Sequence, residues 1–181
     1  MSDEVVRELL QDSFGRIRGL VIDLTDDLTD EVATYRPDAE ANSVAWLIWH
    51  LTRIQDDHVA GLAQVDQVWP RWRDDFGLPF DDWATGYGQS AEDVGRVRVD
   101  GEPLAGYHGA VHELTLHYLD RLDSAELVRV VDTRWDPPVT AAVRITSVIG
   151  DALQHLGQAA YVRGLAERRD QAWHQADAAD R

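Results

Sequence analysis

Four stretches of the chain repeat apolar side chains at intervals of three and four residues, and this pattern constrains the fold more than any other feature of the sequence. They are residues 3–29, 42–63, 104–122 and 140–169. Asn42 or Ser43 is a favourable N-cap for the second stretch, and Thr140 is one for the fourth. The pattern therefore predicts an all-α protein that folds as a four-helix bundle.

An insert of roughly 40 residues separates the second predicted helix from the third. It is rich in aromatic side chains, namely Trp69, Trp72, Phe76, Phe80, Trp83 and Tyr87. Disordered linkers are poor in aromatic residues, so the insert is predicted to be an ordered crossover packed on the bundle. Two interpretations fit it: a functional loop, or a small satellite core beneath a long connection.

The length of 181 residues is that of one domain. We expect the bundle to occupy residues 1–170, and the polar, alanine-rich residues 171–181 to fray as a C-terminal tail. Residues 127–131 have some strand character and are expected either to pair weakly or to form a short helical turn.

Arginine is the only long basic side chain, and the chain has no cysteine. Without lysine there is no Schiff-base site and no P-loop, and without cysteine there is no thiol nucleophile, cysteine-ligated zinc or disulfide. The 17 basic residues against 33 acidic ones give a net charge of −16, which disfavours nucleic acid and anionic membranes as partners. The chain has no apolar run long enough for a transmembrane helix and no basic signal-peptide region near Met1, so we expect a cytoplasmic location.

Three polar residues stand in strongly apolar surroundings. Asp151 and His155 are four residues apart on the last predicted helix, where Asp151 is expected to be buried and to need a cation or strong hydrogen bonds. His50 lies in the most apolar segment of the second helix. If these helices pack together, two imidazoles and one carboxylate form a three-ligand metal site with open positions, which suits catalysis. From spacing alone, the alternative is a set of hydrogen-bonded core residues.

Other histidines are predicted to lie elsewhere. His58 is eight residues beyond His50, or about 12 Å along a helix, and so cannot share one ion with it. With Asp56 and Asp57 it is expected to form a polar end or a rim that faces substrate. His108 and His112 are expected to be partly exposed or at the rim of a pocket. Arg163 is interpreted either as an anion-binding residue or as a cap on the bundle.

Several motifs together resemble those of the DinB/YfiT-like superfamily of metal-binding four-helix bundles. The chain looks most like the subgroup related to mycothiol-dependent transferases and maleylpyruvate isomerases. The motifs are Ser43-Val44-Ala45-Trp46-Leu47-Ile48-Trp49-His50-Leu51, Asp56-Asp57-His58, Gly86-Tyr87-Gly88, residues 151–155, Gly157-Gln158 and Arg163-Gly164-Leu165. The resemblance covers nearly the whole chain except the tail.

The resemblance implies that His50, Asp151 and His155 hold a divalent metal, with zinc first and nickel, iron or manganese as alternatives. Many members have His at the position of Asp151 and isomerase-like members have Glu, so the shorter Asp changes the reach of this ligand. Gln158 is predicted to hydrogen-bond one of the ligands. Asp57, His58, Tyr87 and Arg163 are candidates for the lining of a pocket, and no residue is assigned a catalytic role.

The resemblance also implies that the metal activates a low-molecular-weight thiol such as mycothiol. Because the chain has no cysteine, the sulfur must come from such a cosubstrate. The predicted function is a metal-dependent thiol S-transferase or thiol-assisted isomerase that acts on a small electrophile. The alternative is a bundle that binds metal or a small molecule without catalysis. Exposed apolar residues of the first helix and the tryptophan-rich segments suggest a homodimer.

Overall fold

The computed structural model describes residues 2–179 of the chain, and their side chains as far as residue 169. The described residues form eight α-helices, one 3-10 turn and one two-stranded sheet. In chain order they are α1 (Asp3–Thr25), α2 (Asp30–Thr34), α3 (Val44–Ala63), the 3-10 turn (Trp69–Arg71), α4 (Arg73–Phe76), α5 (Ala91–Val94), α6 (Gly101–Leu119), α7 (Ser124–Val128), β1 (Val130–Asp132), β2 (Val139–Thr140) and α8 (Ala141–Ala179).

The four long helices α1, α3, α6 and α8 form the bundle, which confirms the predicted all-α fold. Helix α3 packs against both α6 and α8, and α1 packs against the same two helices. Their facing apolar side chains make one continuous core. This arrangement puts the two helices that carry His50 and Asp151 side by side.

Side-chain caps mark where the bundle helices α3 and α8 begin. The Ser43 hydroxyl accepts a hydrogen bond from the Trp46 amide at 3.2 Å, and the Thr140 hydroxyl accepts one from the Val143 amide at 3.4 Å. The first helix was predicted to reach residue 29 but ends at Thr25, because Asp27 turns into the left-handed region with φ of 48°. Thr29 then caps the short helix α2.

The crossover between α3 and α6 is ordered and is anchored by aromatic side chains. Trp69 and Phe76 are buried, and their rings lie 5.2 and 5.7 Å from the ring of Tyr107 on α6. Trp83 and Tyr87, by contrast, are 81% and 89% exposed. The first part of the crossover therefore forms a satellite core, and its second part presents aromatic side chains to solvent.

The remaining elements are small. Strand β1 pairs antiparallel with β2. The segment predicted to have strand character, residues 127–131, contains the end of α7 at 127–128 and the first two residues of β1 at 130–131. No helix in the described range is long and apolar enough to cross a membrane. The predicted fraying of residues 171–181 falls outside the residues whose side chains are described, and it stays a prediction together with the domain boundary.

Candidate metal centre

Helices α3 and α8 bring His50, Asp151 and His155 together. Each residue offers one potential ligand atom, and these atoms lie within 4.8 Å of one another. The Nε2 atom of His155 is 3.4 Å from Oδ1 of Asp151, and the two imidazole rings are 4.8 Å apart. We call these three residues the triad. Their convergence follows from the i,i+4 spacing on α8 and from the packing of α3 against it.

Hydrogen bonds orient both imidazoles of the triad. Nδ1 of His50 lies 2.5 Å from the carbonyl oxygen of Thr85, and Nδ1 of His155 lies 3.1 Å from the side-chain oxygen of Gln158. Both oxygens can only accept, so each Nδ1 carries the hydrogen when the ring is neutral. Each Nε2 is then left with a free lone pair, which is how histidines that bind metals are commonly arranged.

The charges in the triad favour a bound cation. Asp151 is 31% exposed, so the expectation that its whole side chain is buried is wrong. Its Oδ2 atom, however, is buried and has no hydrogen-bond partner among the described residues. A buried carboxylate oxygen without a partner is destabilising, and a cation would satisfy it. Two imidazole nitrogens and a carboxylate oxygen are a donor set that suits zinc and similar divalent metals.

The two histidines differ in their protonation. Burial lowers the pKa of His50, which keeps this ring neutral. The hydrogen bond with Asp151 raises the pKa of His155, despite the opposing effect of burial. A cation at the triad would therefore compete with a proton mainly at His155.

Trp46 and Gly86 enclose His50, and no separate role was predicted for either residue. The Trp46 ring stacks on His50 at 4.7 Å and meets the ring of His155 edge-on at 6.3 Å. Its indole N–H donates to the Gln89 side chain at 2.7 Å. Gly86 has φ of +92°, and a Cβ there would lie 2.6 Å from Nδ1 of His50. Only glycine lets the backbone come this close to the ring.

A buried polar network next to His50 holds the same backbone segment. Arg53 is fully buried and donates from Nε to the Ala84 carbonyl at 3.0 Å, one residue before the Thr85 carbonyl that binds His50. Its guanidinium also lies 3.6 Å from the carboxylate of Asp56 and donates to the hydroxyl of Tyr107 at 3.3 Å. Arg53 and His50 together tie the crossover to α3.

Asp56 is part of this network and not of an exposed polar end, as the sequence had suggested. It is fully buried and accepts hydrogen bonds from the amides of Val68 and Trp69 and from the hydroxyl of Tyr107, all at 2.8–2.9 Å. Burial raises the pKa of Asp56, while these hydrogen bonds and Arg53 act against the shift. The sequence pattern that could have predicted this buried ion pair is an arginine and an aspartate three residues apart in an apolar helix.

The other predicted pocket residues do not contact the triad. His58 lies on the seam between α3 and α8, where its Nδ1 is 3.3 Å from Asp57 and its Nε2 accepts from Arg144 at 3.2 Å. The side chain of Tyr87 is 89% exposed. Arg163 binds Glu167 at 2.7 Å and the Asp23 carbonyl of α1 at 3.1 Å, so it ties α8 to α1.

His108 was expected to be exposed or at a rim, and that expectation is wrong. Its side chain is fully buried, and neither ring nitrogen has a hydrogen-bond partner in the described part of the chain. Burial, with Arg18 and His112 nearby, lowers the pKa of His108 to about 3. His108 therefore stays neutral inside the bundle.

Comparisons with known proteins agree with this fold. The family model described as mycothiol-S-transferase matches residues 9–168. No curated protein matches the chain. A solved structure from Enterococcus faecalis, described only as that of a conserved protein, is 32% identical. The match covers 89% of this chain and 96% of the Enterococcus faecalis chain, with a TM-score of 0.83.

Proposed function

From the premise that the chain belongs to the mycothiol-S-transferase family, we propose that it is a metal-dependent enzyme that transfers a low-molecular-weight thiol, such as mycothiol, to a small electrophile. The observation that carries the proposal is the triad of His50, Asp151 and His155 in a chain with no cysteine. The nucleophilic sulfur then belongs to the cosubstrate, and the chain supplies the site that receives it.

The three triad residues would hold the cation, with zinc first and nickel, iron or manganese as alternatives. When bound, such an ion stabilises the thiolate form of a thiol, which is the reactive form. The unpaired Oδ2 of Asp151 and the two oriented imidazoles are the features of this chain that support a metal here. Thr85 and Gln158 would hold the two rings in the tautomer that leaves Nε2 unprotonated.

The electrophile would bind on the side of the crossover. A cavity of about 890 Å³ is lined there by Phe80, Trp83, Ala84 and Gln89 and by three carboxylates, those of Asp81, Asp82 and Asp93. Ala84 adjoins Thr85, which binds His50, and Gln89 holds Trp46, which stacks on His50. Its aromatic side chains suit a small electrophile, and its carboxylates disfavour an anionic one.

The transfer itself makes one bond and breaks one. The thiolate sulfur bonds to the electrophilic carbon, the leaving group departs with the bonding electron pair, and the thiol proton passes to water. In the isomerase variant of the proposal the sulfur adds to the substrate and leaves again, so that the thiol is regenerated.

Thiol consumption tests the proposal. Untagged protein supplemented with zinc is incubated with mycothiol and an aryl halide, and the metal content is measured in the same sample. We expect close to one metal ion per chain, and a rate that falls at least about 100-fold in His155→Ala, because a ligand is lost. His117→Ala is the matched control, since His117 is exposed and, within the described part of the chain, hydrogen-bonds only to the Glu113 carbonyl of its own helix.

Two outcomes would go against the proposal. Equal rates for the wild type and His155→Ala, with metal bound, would favour the second candidate, a bundle that binds metal or a small molecule without catalysis. A metal content below about a tenth of an equivalent would remove the metal site itself. The homodimer and the cytoplasmic location expected from the sequence stay predictions.

A further inference from the structure

A second cavity lies on the seam between α3 and α8, away from the triad. We call it the distal cavity; its volume is about 570 Å³. Its polar lining residues are Asp57, His58, Asp132, Thr133, Arg134 and Arg144. The triad and the crossover cavity described above use none of these residues.

The distal cavity lies two helical turns away from the triad, along the same seam between α3 and α8. Arg144 precedes Asp151 by seven residues, which puts both on one face of α8 about 10 Å apart along its axis. His58 follows His50 by eight residues, or about 12 Å along α3. Because His50 meets Asp151 and His58 meets Arg144, the two helices run antiparallel, and both sites line their common edge.

The hydrogen-bonding groups of the distal cavity alternate between donors and acceptors. Arg144 donates to Nε2 of His58 at 3.2 Å and to Asp132 at 3.3 Å. Arg134 donates to both oxygens of Asp132, at 3.0 and 2.8 Å. Since Arg144 can only donate, Nε2 of His58 is the acceptor, and its Nδ1–H points to Asp57 at 3.3 Å. The hydrogen bond from His58 lowers the pKa of Asp57, so this carboxylate is an acceptor.

The charges of the lining cancel, which narrows the class of ligand. Asp57 and Asp132 contribute two negative charges, and Arg134 and Arg144 contribute two positive charges. An anionic ligand would meet the two carboxylates, and a cationic ligand would meet the two guanidiniums. A hydroxyl group both donates and accepts, so adjacent hydroxyls can pair with arginine and aspartate together.

We propose that the distal cavity binds a polyhydroxylated, sugar-like part of the thiol cosubstrate while the thiol reaches the triad. This inference rests on the proposed function. It selects thiols that carry such a group about 10 Å from the sulfur, which is the separation of the two sites along the helices. Arg144 is the central binding residue because it spans His58 on α3 and Asp132 on β1.

The test compares a long thiol with a short one. Mycothiol, in which a cysteine derivative is joined to a sugar and inositol, is compared with N-acetylcysteine, which has no polyol. In Arg144→Gln the KM for mycothiol should rise about tenfold, the expected effect of losing a hydrogen bond from a charged donor. The KM for N-acetylcysteine and both kcat values should stay within about twofold, because the triad is unchanged.

Arg16→Gln is the control for this comparison, since Arg16 is an exposed residue of α1 whose only ion pair among the described residues is with Asp12. It should leave all four constants unchanged. A KM that rises equally for both thiols, or for neither, would overturn the assignment. Thermal unfolding of each variant checks that the fold is intact. The ratio of the KM values for mycothiol and N-acetylcysteine remains informative even if Arg144→Gln is less stable.

A binding measurement separates this inference from the proposed function. S-methyl mycothiol has no thiol to react, and its affinity for the protein is measured by calorimetry. If neither thiol is turned over but S-methyl mycothiol binds about tenfold more weakly to Arg144→Gln, the cavity assignment stands and the catalytic proposal fails. Equal affinities for the wild type and Arg144→Gln, or no binding to either, would overturn the cavity assignment whatever the activity.

Discussion

Nδ1 of His50 donates its hydrogen to the backbone carbonyl of Thr85 across 2.5 Å, although the two residues are 35 positions apart in the chain. The contact depends on the crossover folding back over α3. Gly86 allows it, because this residue lies against the imidazole with φ of +92°. The orientation of a triad residue is therefore set by backbone that belongs to another part of the chain.

Gly86→Ala should weaken metal binding. The added Cβ would lie 2.6 Å from Nδ1 of His50, so the Thr85 carbonyl and the ring must move apart. We expect the zinc affinity, measured by competition with a chelator, to fall about 10- to 100-fold, as when other contacts that orient metal ligands are lost. Gly88→Ala is the matched control, since Gly88 also has positive φ, at +74°, but nothing lies within 4 Å of its Cβ. Equal affinities for the two variants would show that the contact does not orient a ligand.

Arg53→Met should destabilise the fold by about 3–5 kcal/mol, because it leaves the fully buried Asp56 without its cation. Urea unfolding of Arg53→Met, Asp56→Asn and the double variant measures the coupling between the two residues. The double variant should be more stable than the sum of the single effects predicts, by at least about 1 kcal/mol. Additive effects would mean that Arg53 acts through its packing on Trp69 and not through its charge.

The triad and this network differ in how far the sequence could predict them. The spacing of Asp151 and His155 and the apolar surroundings of His50 are local patterns, so helices and a candidate site follow from them. His50 and Arg53 instead bind the backbone carbonyls of Thr85 and Ala84 in an irregular crossover. No periodicity in the sequence encodes where such a segment folds back. The end of α1 was misplaced for a related reason: the left-handed turn at Asp27 interrupts a pattern that otherwise continues to residue 29.

The free energy of unfolding should decrease as the pH is lowered, because of His108. Its pKa is about 3 in the fold and about 6.5 in an unfolded chain, so the unfolded state binds more protons below pH 6.5. The stabilisation is complete above pH 6.5 and is lost as the pH falls toward 3, by about 2 kcal/mol at pH 5.

Urea unfolding at pH 7.5 and pH 5 checks this prediction. His108→Leu should reduce the difference in unfolding free energy between pH 7.5 and pH 5 by about 2 kcal/mol. His117→Leu, at an exposed position, should leave this difference unchanged. The same pH dependence in the wild type and His108→Leu would show that His108 does not remain neutral in the fold.

Asp151→Asn should have opposite effects with and without metal. Without metal, the buried Oδ2 of Asp151 is an unpaired carboxylate oxygen, and replacing the charge with a neutral amide removes that cost. At a pH above the raised pKa of His155, where the ring is neutral and gains little from its hydrogen bond with the carboxylate, we expect metal-free Asp151→Asn to unfold at the same temperature as the wild type or a higher one. With zinc at about 100 times the wild-type Kd, the wild type should gain about 2.7 kcal/mol, and Asp151→Asn should gain almost nothing. Thermal unfolding in chelator and in zinc measures both effects on the same samples. If Asp151 serves only as an ion-pair partner of His155, Asp151→Asn will be less stable than the wild type in chelator, and zinc will raise the unfolding temperature of both proteins equally. If Asp151 is a metal ligand, the variant will be at least as stable as the wild type in chelator, and zinc will stabilise only the wild type.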